Sequence, residues 1–274
     1  LGEQIVQQLR SRGLILQDAS VTSYIEDLGY KLVAQSDWAS DGFEFFVVNS
    51  TAINAFALPG GLIGINLGLI SASGDESELA GVMAHEIVHV TQKHILRGAE
   101  KSARSSALTT AALVLGLLLS GGDPTAIQAI IGASLSVDVQ NQLNFTRAHE
   151  LEADRIGIRL LNRAGFNPYG MARFFERLWQ RSRLSENSVP EILRTHPLYS
   201  TRVNEALSRA AQISDGRVVA DSDRFRLVQA RIEVLTDRDV PDLVNRYRAQ
   251  LKLARSDRDR NDRISNKFVI FFVQ

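Results

Sequence analysis

Two histidines four residues apart, with an acid beside the first, constrain this chain more than any other feature. His85-Glu86-Ile87-Val88-His89 has the form H-E-x-x-H. An α-helix turns once in 3.6 residues, so positions i and i+4 stand one above the other on a single face. The two imidazoles then project side by side, as two ligands of one tetrahedral zinc ion must. Glu86 reaches a water held by such a metal. The metal acidifies that water and polarises a carbonyl, while the carboxylate takes the proton. A solvated surface helix carrying two histidines is the bland explanation. Val82, Met83, Ala84, Ile87, Val88 and Val90 argue against it by making the helix mostly apolar, where an unpaired polar side chain is costly. Asp75 and Glu78 form a capping-box pattern ahead of the helix, and Gly98 suits its end. One helix over about 76–97 is expected.

The chain has no cysteine, so further ligands must be histidine or carboxylate. Structural zinc sites are closed by four protein ligands; catalytic sites use three and keep a position for water. The strongest third candidate is Glu150, in Arg147-Ala148-His149-Glu150-Leu151-Glu152-Ala153-Asp154-Arg155. This segment opens a second helical pattern through Ile156, Ile158, Leu160 and Leu161, which Gly165 and then Pro168 end. Glu150 and Asp154 share a face at i and i+4. With Glu150 on the metal, Asp154 is placed to accept a hydrogen bond from the far nitrogen of a ligand histidine, fixing its tautomer. Glu152 lies about 200° from Glu150 around the helix and is expected at the surface. Read alone, these acids are an ordinary solvated turn near a helix start. Beside an H-E-x-x-H helix, that reading loses.

A third block, Asn54-Ala55-Phe56-Ala57-Leu58-Pro59-Gly60-Gly61, precedes the first helix. The three blocks together resemble peptidase family M48, the gluzincin metallopeptidases, in its bacterial periplasmic branch. They stand in the family's order and cover roughly residues 25 to 205. The resemblance implies an α+β, mainly helical, zincin-like domain with a small antiparallel sheet, followed by C-terminal helices. It implies one Zn²⁺ per chain on His85, His89 and Glu150, with Glu86 as general base and Asp154 in support. It implies a polypeptide substrate in the bacterial periplasm: unfolded or misassembled envelope proteins, with outer-membrane proteins or their assembly machinery as partners. The alternative is a chaperone-like binding module whose zinc site is structural or latched.

Of the other histidines, His94 lies about 140° around the helix from His89 and is expected at the surface. His149 points about 100° away from Glu150, so direct ligation is not expected. His196 sits before Pro197, which pushes it out of helical geometry. It is either a loop residue or a group near the metal, as a fourth ligand that closes the site or as a donor to the oxyanion. Periplasmic members carry a similar T-H-P segment, which favours contact with the site.

Phe43–Val48, Ala52–Leu58 and Leu62–Asn66 read as strands, the last two joined by the turn Pro59-Gly60-Gly61. A strand left at the sheet edge would offer its backbone to an extended peptide, which makes Asn54, Ala55 and Phe56 candidate substrate contacts. Residues 107–119 and 126–137 are strongly apolar, yet each is shorter than a membrane-spanning helix. They form a buried hairpin, a flap over the site, or a surface for peripheral contact with a bilayer or client. The division expected is a peptidase domain over 1–214 and a helical segment over 215–274, the start of a helical-repeat region in related proteins. Lys plus Arg and Asp plus Glu are both 31, so the formal charge is zero, and nothing favours nucleic acid. Leu1-Gly2-Glu3-Gln4 lacks the basic and apolar regions of an export signal; because the periplasmic relatives are exported, the resemblance implies a mature or trimmed form.

Overall fold

The computed structural model describes residues 2–37, 42–101, 147–184, 189–217, 219–237 and 239–253. Two helices, α1 (Gly2–Ser11) and α2 (Ala19–Val33), precede three strands, β1 (Glu44–Val48), β2 (Ala55–Leu58) and β3 (Leu62–Asn66). Then come α3 (Leu67–Ala72), α4 (Glu76–Thr91), α5 (His94–Lys101), α6 (Arg147–Arg163), α7 (Gly170–Leu184), α8 (Ile192–Thr195), α9 (Ser200–Ile213), α10 (Asp223–Thr236) and α11 (Val240–Leu253). This is the mainly helical α+β class expected. The apolar segments between 107 and 137 lie outside the described residues. Among the described residues no helix is long and apolar enough to cross a membrane.

The sheet has the order β1-β3-β2. β2 and β3 form the expected antiparallel hairpin, from Ala55 opposite Ile65 to Leu58 opposite Leu62. Its turn needs glycine: Gly60 and Gly61 have φ of 96° and 81°, and a Cβ on Gly61 would sit 1.9 Å from the Gly42 carbonyl oxygen. β1, however, pairs with β3 in parallel, Glu44 opposite Leu62 through Val48 opposite Asn66. The sheet is therefore mixed rather than antiparallel. β3 is buried along its whole length, and such a strand is stable with a partner on each side. With β2 on one side, β1 takes the other and runs parallel. The far side of β1 is capped by residues 14–16, through Leu16 N–H to Val47 O at 2.8 Å and Asn49 N–H to Leu14 O at 2.8 Å. The outer edge of β2 carries no strand among the described residues.

Helix α4 is the axis of the molecule. Asp75 caps it by accepting from the Glu78 N–H at 2.9 Å, as the sequence predicts. The Glu78 carboxylate accepts instead from the Gly74 N–H at 2.7 Å and pairs with Arg177 of α7 at 2.8 Å. Leu79, Ala80, Met83, Ala84 and Ile87 of α4 are buried in one core. That core includes Ile25 and Leu32 of α2, Val47, Ile63 and Ile65 of the sheet, Leu161 of α6 and Phe174 of α7. Phe225, Val228 and Ile232 of α10 join it. Helix α6 crosses α4 closely at Gly157, where a Cβ would lie 2.9 Å from Met171 Cε and 3.4 Å from the His85 backbone nitrogen. The single helix expected over 76–97 is two helices. α4 stops at Thr91, Lys93 adopts φ of 54°, and α5 starts at His94. A left-handed residue just past a helix turns the chain without exposing the last carbonyls.

Candidate metal centre

α4 supplies His85 and His89, and α6 supplies Glu150 from the facing side. His196 enters from a third direction, as the C-terminal cap of the short α8. One ligand atom from each of these four buried residues lies within 4.8 Å of all the others. His89 Nε2 and His85 Nε2 are 2.9 Å apart, and His196 Nδ1 is 3.4 Å from His85 Nε2. Glu150 Oε1 is 3.1 Å from His196 Nδ1 and 3.5 Å from His89 Nε2, while Glu150 Oε2 is 3.5 Å from His85 Nε2. Imidazole nitrogens facing one another around a buried carboxylate are the donors of a tetrahedral N,O site. Glu86, next along α4, is buried, and its Oε1 has no hydrogen-bond partner among the described residues. His196 Nε2 lies 3.5 Å from that oxygen. An acid left unpaired beside a donor cluster fits a group that handles the proton of a water or an amine.

Electrostatics follow from the packing. Burial disfavours the charged form of His85, yet the carboxylates of Asp154 and Glu150 outweigh it and raise its pKa to about 10. Burial and then the charge of His85 push His89 well below the ordinary histidine value. Burial raises Glu150, but His196 and His85 override it and hold the carboxyl well below the usual carboxylate range. A proton on His85 occupies the electron pair that a metal takes, so metal and proton compete here.

Asp154 lies one turn beyond Glu150, with Oδ1 2.9 Å from His85 Nδ1. The i, i+4 spacing in α6 thus brings a second carboxylate to the back of the first imidazole. The sequence reading missed Arg202. It is buried, it clamps Asp154 with Nε and a terminal nitrogen at 2.7 and 2.8 Å, and Nη1 is 2.7 Å from Glu150 Oε2. A signal was present: Arg202 shares a helical face with the small apolar Ala206 and Ala210, which marks it as inward-facing.

Of His94 and Glu152, both expected at the surface, Glu152 is partly exposed and His94 is not. His94 is fully buried, with Nδ1 2.9 Å from His89 Nδ1 and Nε2 3.1 Å from Glu152 Oε2. The turn at Lys93 ends α4, so the angular position His94 would have on one continuous helix does not apply. His149 is buried outside the four-residue cluster, stacked on His94 with ring centres 4.6 Å apart. Asn54 precedes β2 and donates from Nδ2 to Glu191 Oε1 at 3.0 Å. Ala55 and Phe56 are buried, Phe56 against Phe46 at 5.9 Å between ring centres. The strand that carries these two packs against α4.

Comparison with known proteins identifies the family. The model of Peptidase family M48 matches residues 19–210. The chain is 41% identical to the Beta-barrel assembly-enhancing protease of Escherichia coli strain K12, over 84% of this chain and 47% of that protein. It is 30% identical to the Mitochondrial metalloendopeptidase OMA1 of Arabidopsis thaliana over 69% of this chain and 34% of that protein. The protein of the same name from Schizosaccharomyces pombe is 28% identical over 67% of this chain and 51% of its own length. The chain spans about half the length of the bacterial relatives it matches. The matched segment contains α4, α6 and the His196 turn, and with them the whole candidate centre: the chain belongs to peptidase family M48, a family of zinc metallopeptidases.

Proposed function

We propose that this chain is a zinc-dependent endopeptidase in which His85, His89 and Glu150 hold the metal and Glu86 is the general base. The observation that carries this reading is the convergence of buried donors from two distant helices within 4.8 Å, next to a buried acid. Zinc held by these residues would supply Lewis acidity to a water and to the scissile carbonyl. Glu86 accepts the proton of that water on its carboxylate and returns it to the departing amine. Asp154 faces the back of the His85 ring, its Oδ1 2.9 Å from Nδ1, and Arg202 holds Asp154 and Glu150 in register. The outer edge of β2, which carries no strand among the described residues, aligns an extended substrate by backbone hydrogen bonds at Ala55 and Phe56, with Asn54 just ahead of the strand. An extended segment is what an unfolded polypeptide offers. The name of the Escherichia coli relative, a protease that enhances β-barrel assembly, supports β-barrel proteins as clients, and the resemblance to the periplasmic branch of the family supports the periplasm as the setting.

The test is Glu86→Gln. Casein cleavage should fall by about 10²–10⁴-fold with bound zinc unchanged, since the amide cannot take a proton. Cleavage at the wild-type rate would remove Glu86 from the mechanism.

A second reading has its own support. His196 Nδ1 lies within 3.4 Å of donor atoms of His85 and Glu150, and four protein ligands mark a closed site. In that reading the chain binds clients with its zinc latched. His196→Ala separates the two: increased peptidase activity identifies a latch, and lost activity identifies an oxyanion donor.

A further inference from the structure

His94 carries a consequence for the opposite side of the centre. Its Nδ1 is 2.9 Å from His89 Nδ1, and its Nε2 is 3.1 Å from Glu152 Oε2. His149 stacks on its ring at an interplanar angle of 11°, and Arg97 holds Glu152 from outside at 3.0 Å. Resting on the zinc-peptidase reading, we propose that His94 and Glu152 are positioning residues for His89, fixing its tautomer and ring plane so that Nε2 faces the metal.

A neutral imidazole has one N–H, so a ring that offers Nε2 to a metal carries its proton on Nδ1. That proton needs an acceptor, and Nδ1 of His94 is in place. A ring that accepts on Nδ1 carries its own proton on Nε2. Glu152 Oε2 is in place to receive that one. Every proton then has one position, and the chain of bonds runs in one direction, from His89 through His94 to a carboxylate. The opposite tautomer of His94 would set two N–H groups against each other at 2.9 Å or drive the His89 proton to Nε2, where it faces His85. Buried polar atoms so arranged are costly to leave unpaired. The turn at Lys93 makes the contact: by ending α4 it brings a histidine five residues on back under the second candidate ligand.

His85 and His89 are thus braced differently. His85 meets a carboxylate directly, through Asp154, whereas His89 meets one through an intervening imidazole. Outer partners of this kind set metal affinity as well as geometry.

The experiment compares zinc dissociation constants, by competition with a chromophoric chelator, for wild type, His94→Phe, His94→Gln, Glu152→Ala and Arg97→Ala. His94→Phe should bind zinc about 10–100-fold more weakly. His94→Gln should recover most of the affinity, because the amide oxygen accepts from His89 and the amide nitrogen donates to Glu152. Glu152→Ala, at a partly exposed position that tolerates change, should weaken zinc less than His94→Phe, and Arg97→Ala should leave it unchanged. Long-range ¹H–¹⁵N spectra of the zinc-loaded wild type should show His94 protonated on Nε2. Wild-type affinity in both His94→Phe and Glu152→Ala would overturn the proposal, as would a His94 proton on Nδ1. If His94→Phe does not fold, Glu152→Ala and the spectrum decide. A wild type that takes up no zinc would defeat the peptidase reading itself; zinc binding that is blind to His94 and Glu152 would defeat only this inference.

Discussion

The two histidines of α4 are equivalent in sequence but not in their surroundings. His85 backs onto Asp154, a carboxylate clamped by the buried Arg202. His89 backs onto His94, and the carboxylate behind it, Glu152, is about one quarter exposed. The first arm is short, dry and charged. The second is longer, and its terminal charge is partly in water, where screening weakens it. Two imidazoles that must present the same atom to one metal are therefore held with unequal force.

Removing the clamp of the first arm should have the largest effect. Arg202→Met leaves Glu150 and Asp154 buried without their guanidinium partner. Chemical denaturation of the metal-free chain should show a loss of about 3–5 kcal/mol. A loss below about 1 kcal/mol would mean the first arm is not charge-clamped, and the contrast between the arms would collapse. Next comes Asp154→Asn, which keeps an acceptor for His85 but removes the charge. Zinc affinity should drop about 10–100-fold, and by more than for Glu152→Gln on the second arm. Equal losses would show the arms to be equivalent.

The smallest effect is in pH. Burial, which outweighs the Glu152 carboxylate, lowers the pKa of His94 to about 4 from an unfolded value near 6.5. A depressed histidine is neutral in the folded chain and takes up a proton on unfolding. Its contribution to stability is thus complete above pH 6.5 and is lost as pH falls towards 4. From pH 6.5 to 5.5 this one group should cost the metal-free chain about 1 kcal/mol. His94→Gln should remove that increment from the wild-type slope, and an unchanged slope would show that His94 titrates normally.

How far the centre was legible in the sequence follows the same division. His85, His89, Glu150 and Asp154 occupy i, i+4 positions inside single helices, where local periodicity fixes relative direction. The mainly helical class, the β2–β3 hairpin and the Asp75 cap are equally local. The position of His94 depends on one backbone torsion at Lys93. A lysine gives no sign of a left-handed conformation, so wheel geometry was carried across a break. Arg202 needed a third helix to dock, and only its shared face with Ala206 and Ala210 hinted at the direction. The parallel pairing of β1 with β3 is a matter of topology. It is decided by which strand is buried on both sides, and strand patterns alone do not reveal that.

The most direct measurement is anomalous X-ray scattering across the zinc absorption edge from crystals of the purified chain. The account predicts one zinc per chain, about 2.0–2.2 Å from Nε2 of His85, Nε2 of His89 and a carboxylate oxygen of Glu150. A chain saturated with zinc whose anomalous peak lies elsewhere, or that shows no peak between α4 and α6, would contradict it.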